Sequence, residues 1–471
     1  MDALDTLDTL DIHNPATGQL IATLPADGSA SVAAKAAAAR AAQPAWAAWP
    51  IEERLACIRR FRAALVAEVD TLAITLTQEM GKPVSQARGE INGLLGRIDF
   101  FLEQAEPTAA DEHVFDGGGV HEKISHIPLG VVANISAWNY PYFVGCNVIV
   151  PALLTGNAVL YKPSEHATLT GLNITRLLHG AGVPKDVMQC LVGGGAVGAA
   201  LLHQRIDGVF FTGSHVTGQR IAVALAPRLV KLQLELGGKD PMYVRGDISS
   251  PADLKAAADS LADGAMYNTG QACCSVERIY VHDSIHDAFV QHFLATVATF
   301  RLGDPLSPDT YFGAITRAPQ LALLEAQVAD AVAKGATLHG GGEFSGVRRP
   351  GPGNWFEPAV LTNVNHSMDL MVEESFGPVI GIQKVSSDDE AVALMNDTRY
   401  GLTAGIYTKD EAVARALLRQ VNAGSVYWNC CDRVSPRLPW SGHGDSGLGL
   451  TLSHHGILAF TRPKAWHLRS P

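Results

Sequence analysis

Val131-Val132-Ala133-Asn134-Ile135 is the first of five apolar, β-branched runs spread over residues 130–236. The others are Ala158 to Tyr161, Met188 to Val192, Gly208 to Phe211 and Val230 to Leu234, with helical stretches between them. This alternation predicts βαβα order and a parallel sheet with helices on both faces. Sheets of this kind bind dinucleotides at the carboxyl ends of their strands. A second α/β run extends from 237 to 445. Its expected strands are Val276 to His282, Ala359 to Asn363, Gly401 to Thr408 and Gly424 to Asn429. Its expected helices include Pro251 to Tyr267 and Pro319 to Lys334, and Gly340 to Gly353 reads as a surface loop.

On the N-terminal side, residues 30–48 read as an Ala-rich helix. A longer helix follows Pro50 and stops at Gly81 and Pro83. A further helical run covers Glu90 to Gln104. Three glycines at 117–119 precede an alternating ribbon, Val120 to Ile127, and the closing segment Leu458 to Leu468 is similarly extended. The two suggest an oligomerisation arm, with a plain surface hairpin as the alternative. At 471 residues the chain needs more than one core. The expected fold is α/β, with a Rossmann-like cofactor domain, an α/β catalytic domain and a small β arm. The expected boundaries are 1–115 and 130–236 for cofactor binding, 237–445 for catalysis, and 116–129 with 446–471 for the arm.

The composition, 47% hydrophobic and 18% charged, is that of a globular chain. A net charge of −11 without a basic block argues against nucleic acid as a partner. The acidic start Met1-Asp2-Ala3-Leu4-Asp5 lacks the pattern of a signal peptide, and no apolar run reaches membrane-spanning length. A cytoplasmic protein with no membrane partner is expected. The odd count of seven cysteines does not suggest a disulfide framework, and neither Cys-Cys pair has zinc-site spacing, so no metal is expected.

Two stretches invite chemistry. Asn268-Thr269-Gly270-Gln271-Ala272-Cys273-Cys274-Ser275 offers a thiol after a glycine-bearing turn, just ahead of a β-branched run. Leu234-Glu235-Leu236-Gly237-Gly238-Lys239 sets an acid in an apolar run before a Gly-Gly turn. A thiol and a carboxylate at element ends can form a nucleophile and a base. Burial would raise the Glu235 pKa toward a useful range, and backbone N–H groups would favour the Cys273 thiolate.

Other constellations are ambiguous when read singly. Phe211-Thr212-Gly213-Ser214 closes a strand and opens a helix, so Ser214 is either a pyrophosphate site or an ordinary N-cap. Gly193, Gly194, Gly195 and Gly198 resemble a dinucleotide loop loosely, or serve close packing. Lys162-Pro163-Ser164-Glu165 ends a strand, either as a ribose site that favours NAD over NADP or as a solvated turn. Trp138-Asn139-Tyr140-Pro141 could present an amide to an oxyanion, or be a turn.

Together, in order and over nearly the whole chain, these motifs resemble the aldehyde dehydrogenase superfamily. Glu373-Glu374-Ser375-Phe376-Gly377-Pro378 adds a sixth match. The resemblance implies Cys273 as nucleophile, Glu235 as base for water, and Asn139 with the Cys273 N–H as oxyanion hole. It implies Lys162 and Glu165 at the adenosine ribose, Ser214 at the pyrophosphate, and Glu374 with Phe376 at the nicotinamide ribose. Ser136, Trp138, Ser164, Gly198, Phe211, Gly213, Glu235, Leu236 and Gly237 complete the implied cofactor surface. Tyr140, Tyr142, Asn147, Trp428, Cys430 and Cys431 are the implied substrate tunnel, with core packing as the alternative. Arg433 and Arg437 could take a carboxylate, or be solvated.

The implied activity is NAD-dependent oxidation of a small-molecule aldehyde to an acid through a Cys273 thioester, by a homodimer or homotetramer. NADP is the less expected cofactor. The alternatives are a CoA-acylating enzyme, against which Glu235 argues, and a non-catalytic protein on the same fold. The chain departs from the family at Val148 and Gly444, where many members carry lysine, and at His215-Val216-Thr217 after the phosphate turn.

Overall fold

The five runs of residues 130–236 pair in parallel, and a computed structural model gives their order. It describes residues 8–340, 345–431 and 433–470. The acidic start Met1 to Asp5 and part of the Gly340 to Gly353 loop lie outside these.

The first sheet has six strands. From one edge they are Gly447–Leu448, Lys231–Glu235, Gly208–Thr212, Val131–Ile135, Ala158–Lys162 and Met188–Cys190. All pairs are parallel except that of Gly447–Leu448 with Lys231–Glu235. Val131–Ile135 and Ala158–Lys162 are buried along their whole length, as expected for strands covered on both faces. The chain builds outward from Val131–Ile135 through two strands, then returns to build on its other side. That reversal lies between Val131–Ile135 and Gly208–Thr212, and it opens a crevice at their carboxyl ends.

The second sheet has seven strands in the order Thr337–His339, Ala359–Thr362, Val379–Val385, Val276–His282, Asp240–Val244, Thr403–Tyr407 and Ser425–Trp428. Only the first pair is antiparallel. The sequence reading marked no strand at Asp240–Val244 or Val379–Val385, yet both are central. Asp and Pro are poor strand residues, which hides Asp240-Pro241. The register shifts at that pair, and the Asp240 carboxylate is satisfied by the backbone N–H and hydroxyl of Thr403.

Helices Ser29–Ala48 and Ile51–Met80 lie where the sequence predicts them. Gly81, at φ 84°, ends the second in the left-handed region that glycine tolerates. The third helix, Val84–Ala109, starts six residues earlier than Glu90, because Pro83 stands just ahead of its first turn and the earlier helix has already stopped at Gly81.

A third, antiparallel sheet joins Glu112–Gly117, Val120–Pro128 and Thr461–Arg469. Of the span 446–471 assigned to an arm, only Thr461–Arg469 forms an arm strand. Gly447–Leu448 belongs to the first sheet, and helix Ser453–Leu458 packs on Val84–Ala109. Leu452 and Ile457 are buried in the first core, so this segment must stay with the body. Val114, Phe115, Ile127 and Leu468 of the third sheet remain exposed.

Candidate active site

Helix Pro251–Met266 is followed by a tight turn in which Asn268, Thr269 and Gly270 all have positive φ, at 54°, 57° and 71°. Left-handed conformation costs a non-glycine residue roughly 1 kcal/mol, so Asn268 and Thr269 in succession need external support. Asn268 N–H donates to Gln86 Oε1 at 2.9 Å, and Asn268 Nδ2 donates to Asn139 O at 3.2 Å. Thr269 Oγ1 accepts Gly313 N–H at 3.0 Å. At Gly270 a Cβ would lie 2.2 Å from Gly377 O, so no side chain fits. This framework leaves Cys273 half-buried, whereas its neighbour Cys274 is buried.

Asn139 lies against that turn. It is 4% exposed, and its Nδ2 donates to Gln271 O at 3.1 Å. A side-chain amide has two N–H groups, so one more donor is available beside the thiol loop.

Glu235 ends its strand and is buried. Its Oε1 accepts a short hydrogen bond from Thr451 Oγ1. Burial pushes its pKa up to about 7, opposed by the Thr451 hydrogen bond and the Arg97 charge. Among the described residues no hydrogen bond joins the Glu235 carboxyl to Cys273. The two stretches meet through the Gly237-Gly238 turn, where a Cβ on Gly238 would lie 2.7 Å from the Cys273 carbonyl oxygen.

The crevice at the strand reversal is a cleft of about 650 Å³. Ser136, Trp138, Lys162, Ser164, Glu165, Gly198, Phe211, Gly213 and Ser214 all line it. Gly195 and Gly198 line it too, and a Cβ at either would meet nothing within 4 Å, so the wall there is open. Ser214 stands at the N-cap of helix His215–Leu225, but its hydroxyl donates to Thr217 Oγ1 rather than capping the backbone. An open glycine wall, a helix N-terminus and a strand-end acid fit a dinucleotide. Glu165 lies 3.3 Å from Lys162 Nζ; burial resists its ionisation most, but the Lys162 charge and hydrogen bond, a backbone hydrogen bond and the His166 charge together hold the carboxyl below its ordinary range.

Glu235, Leu236, Gly237, Glu374 and Phe376 border the cleft instead of lining it. Glu235 O accepts Gly213 N–H at 3.0 Å, and Leu236 packs on Gly218. Glu374 Oε1 accepts Gly238 N–H at 3.1 Å, with its pKa pushed up to about 8 by burial and by Glu277. Phe376 lies edge-on to Trp138, with ring centroids 5.5 Å apart.

Several supports of the site lie outside the sequence motifs. Glu277 receives Lys239 Nζ at 2.6 Å and the N–H groups of Ser375 and Phe376, fixing the 374–376 loop to the Gly-Gly turn. Its signal was present, because Glu277, like Glu235, is an acid in an apolar strand. Arg220, Arg317 and His166 line the cleft without any motif to mark them.

The six residues expected to form the tunnel divide. Tyr140 stacks on Phe143 with centroids 5.9 Å apart, Arg97 lies 3.8 Å from the Phe143 ring centroid, and Asn147 Oδ1 accepts Arg97 Nη1 at 3.1 Å, so one chain of contacts joins the two. Tyr142 is wholly buried in the first core, and Cys431 sits in the second, donating to Ser260 O. Trp428 lines a groove against helix Glu411–Leu418, and Cys430 is half-buried. Arg433 and Arg437 are exposed. Among the described residues no group of three metal-binding side chains occurs, and no helix is long and apolar enough to cross a membrane. Val148 is buried. Gly444 has φ 55°, and a Cβ there would lie 2.4 Å from Arg399 O, so a lysine would be strained.

A cleft at the strand ends of one sheet that fits a dinucleotide, with a thiol loop leading into the other sheet, is the architecture of an α/β oxidoreductase. The chain belongs to the aldehyde dehydrogenase family: the model of that family matches residues 3–466. A 3,6-anhydro-alpha-L-galactose dehydrogenase of Streptomyces coelicolor is 36% identical over 98% of this chain and 93% of its own length. A succinate-semialdehyde dehydrogenase [NADP(+)] of Deinococcus radiodurans is 35% identical over 96% of this chain and 93% of its own. The solved indole-3-acetaldehyde dehydrogenase of P. syringae, in complex with NAD+, superposes with a TM-score of 0.94 at 32% identity, covering 100% of this chain and 95% of that one. The protein is an aldehyde dehydrogenase of α/β fold with parallel-sheet Rossmann-like domains.

Proposed function

We propose that the chain oxidises a small-molecule aldehyde to its carboxylic acid through a thioester on Cys273. The observation that carries this is the convergence of three segments. Asn139 Nδ2 bonds the thiol loop at Gln271, and the Gly238 turn leading from Glu235 lies against the Cys273 carbonyl. The Cys273 thiolate attacks the carbonyl carbon, forming a C–S bond. The resulting oxyanion is held by the second Asn139 N–H and the Cys273 backbone N–H. The nicotinamide supplies the acceptor for the hydride that leaves this carbon. Water then attacks the thioester while Glu235 takes a proton, the C–S bond breaks, and the acid departs. A carboxyl with pKa about 7 is suited to this at neutral pH.

NAD is the proposed preferred cofactor, because the ionised Glu165 at the ribose end repels a 2′-phosphate. The exposed apolar residues of the third sheet support assembly into a homodimer or homotetramer. The test is NADH absorbance over a panel of aromatic, aliphatic and semialdehyde substrates, with and without CoA. Free acid formed without CoA is expected. Product that appears only with CoA would overturn the hydrolytic reading.

A further inference from the structure

Lys82 and Glu90 form an ion pair whose side chains are both wholly buried. Lys82 follows the left-handed Gly81, and Glu90 projects from helix Val84–Ala109. Among the described residues, the polar contacts of the pair beyond each other converge on one short segment. Lys82 Nζ donates to Asn139 O at 2.7 Å and lies 3.8 Å from the Tyr140 ring centroid. Its remaining partner is Glu90 Oε2. The other Glu90 oxygen, Oε1, accepts Tyr142 N–H at 2.8 Å. Helix Pro141–Leu154 has no side-chain cap from its N-cap residue Tyr140, so Glu90 takes over that task from outside the helix.

A buried ion pair contributes little net stability compared with apolar residues of the same volume. It does impose geometry, because each charge must keep its partners. Here those partners are the backbone groups on either side of the turn that carries the Asn139 amide. Oxyanion donors work only when placed to within about half an ångström of the developing charge.

We propose that Lys82 and Glu90 are positioning residues that clamp the Asn139–Tyr142 turn and thereby aim the Asn139 amide at the Cys273 reaction centre. The proposal rests on Asn139 being the oxyanion donor.

The test is a mutant cycle of Lys82→Met/Glu90→Gln, Asn139→Ala, and the three changes combined. It reads pre-steady-state NADH formation, NAD binding and melting temperature. The double variant removes both charges, so no ion is left buried and unpaired, and the amide oxygen that Glu90→Gln introduces can still accept Tyr142 N–H. It is expected to bind NAD as the parent does and to lose about 10- to 100-fold in the NADH-forming step. Adding Asn139→Ala should cost no more than Asn139→Ala costs alone, because the clamp acts through that amide. Lys82→Arg keeps the charge and changes the donor geometry; it provides a second variant, its fold checked by melting temperature, and should also slow the step. A parental rate in both clamp variants, or losses that multiply in the combined variant, would overturn the clamp. A parental rate in Asn139→Ala alone would instead remove the oxyanion role, and the clamp with it.

Discussion

The Thr451 hydroxyl donates to the Glu235 carboxylate, tying the C-terminal segment to the carboxyl end of a strand 216 residues earlier. This bond favours the ionised acid and restrains the rise that burial causes. Thr451→Val should therefore raise the Glu235 pKa beyond about 7. A base must be unprotonated, so the acidic limb of the pH–kcat profile should move to higher pH by roughly half to one unit, the scale of one hydrogen bond. Arg97→Gln should move it the same way by removing a positive charge. A profile that coincides with the parent in both variants would detach Glu235 from the rate.

Cys273→Ala should lower aldehyde-dependent NADH formation by more than about 1000-fold while leaving NAD binding by fluorescence titration intact. Cys274→Ala should keep most of the activity, because that sulfur is buried and only Cys273 is half-exposed. Loss of turnover in Cys274→Ala with full activity in Cys273→Ala would reverse the assignment.

Glu235→Gln should stall hydrolysis after the first turnover. A stoichiometric NADH burst is expected, then a steady rate about 100- to 10,000-fold below the parent, with acyl-enzyme visible by mass spectrometry. The same substitution bears on stability. A carboxyl with a folded pKa near 7 and an ordinary unfolded value binds more protons when folded, so its contribution shrinks as pH rises from about 4.5 to 7. Glu235→Gln should remove up to roughly 3 kcal/mol of that decline, read from urea melts at pH 5 and pH 8. Identical pH dependence in both proteins would mean the acid is not buried as described.

Glu165→Gln should lower NAD preference by raising kcat/KM with NADP about tenfold, since the carboxylate that faces a 2′-phosphate is gone. Steady-state kinetics with both cofactors test this. A parent that already prefers NADP would show that Arg220 and Arg317, which line the same cleft, outweigh Glu165.

The legible part of the fold was the part written in periodic local signals. The five strands of residues 130–236 were visible because buried parallel strands are continuous apolar runs. Asp240–Val244 was invisible because its first two residues argue against a strand, and only Thr403 on a neighbouring strand makes Asp240 acceptable there. Glu277 carried a legible signal as an acid in an apolar strand, but Lys82, Glu90 and Arg97 could not be read as site supports, since each is a charged residue whose task depends on what the fold buries beside it.

The sequence by itself determined the βαβα order, the thiol turn, the strand-end acids and the family they resemble, because each is a short-range pattern of residue types. Only the tertiary structure decided that Thr451 would hold Glu235, that Tyr142 and Cys431 would lie in cores, and that Gly447–Leu448 would leave the arm for the first sheet. Those outcomes depend on contacts between residues far apart in the chain, where burial and hydrogen-bond satisfaction, and not local propensity, set the energy.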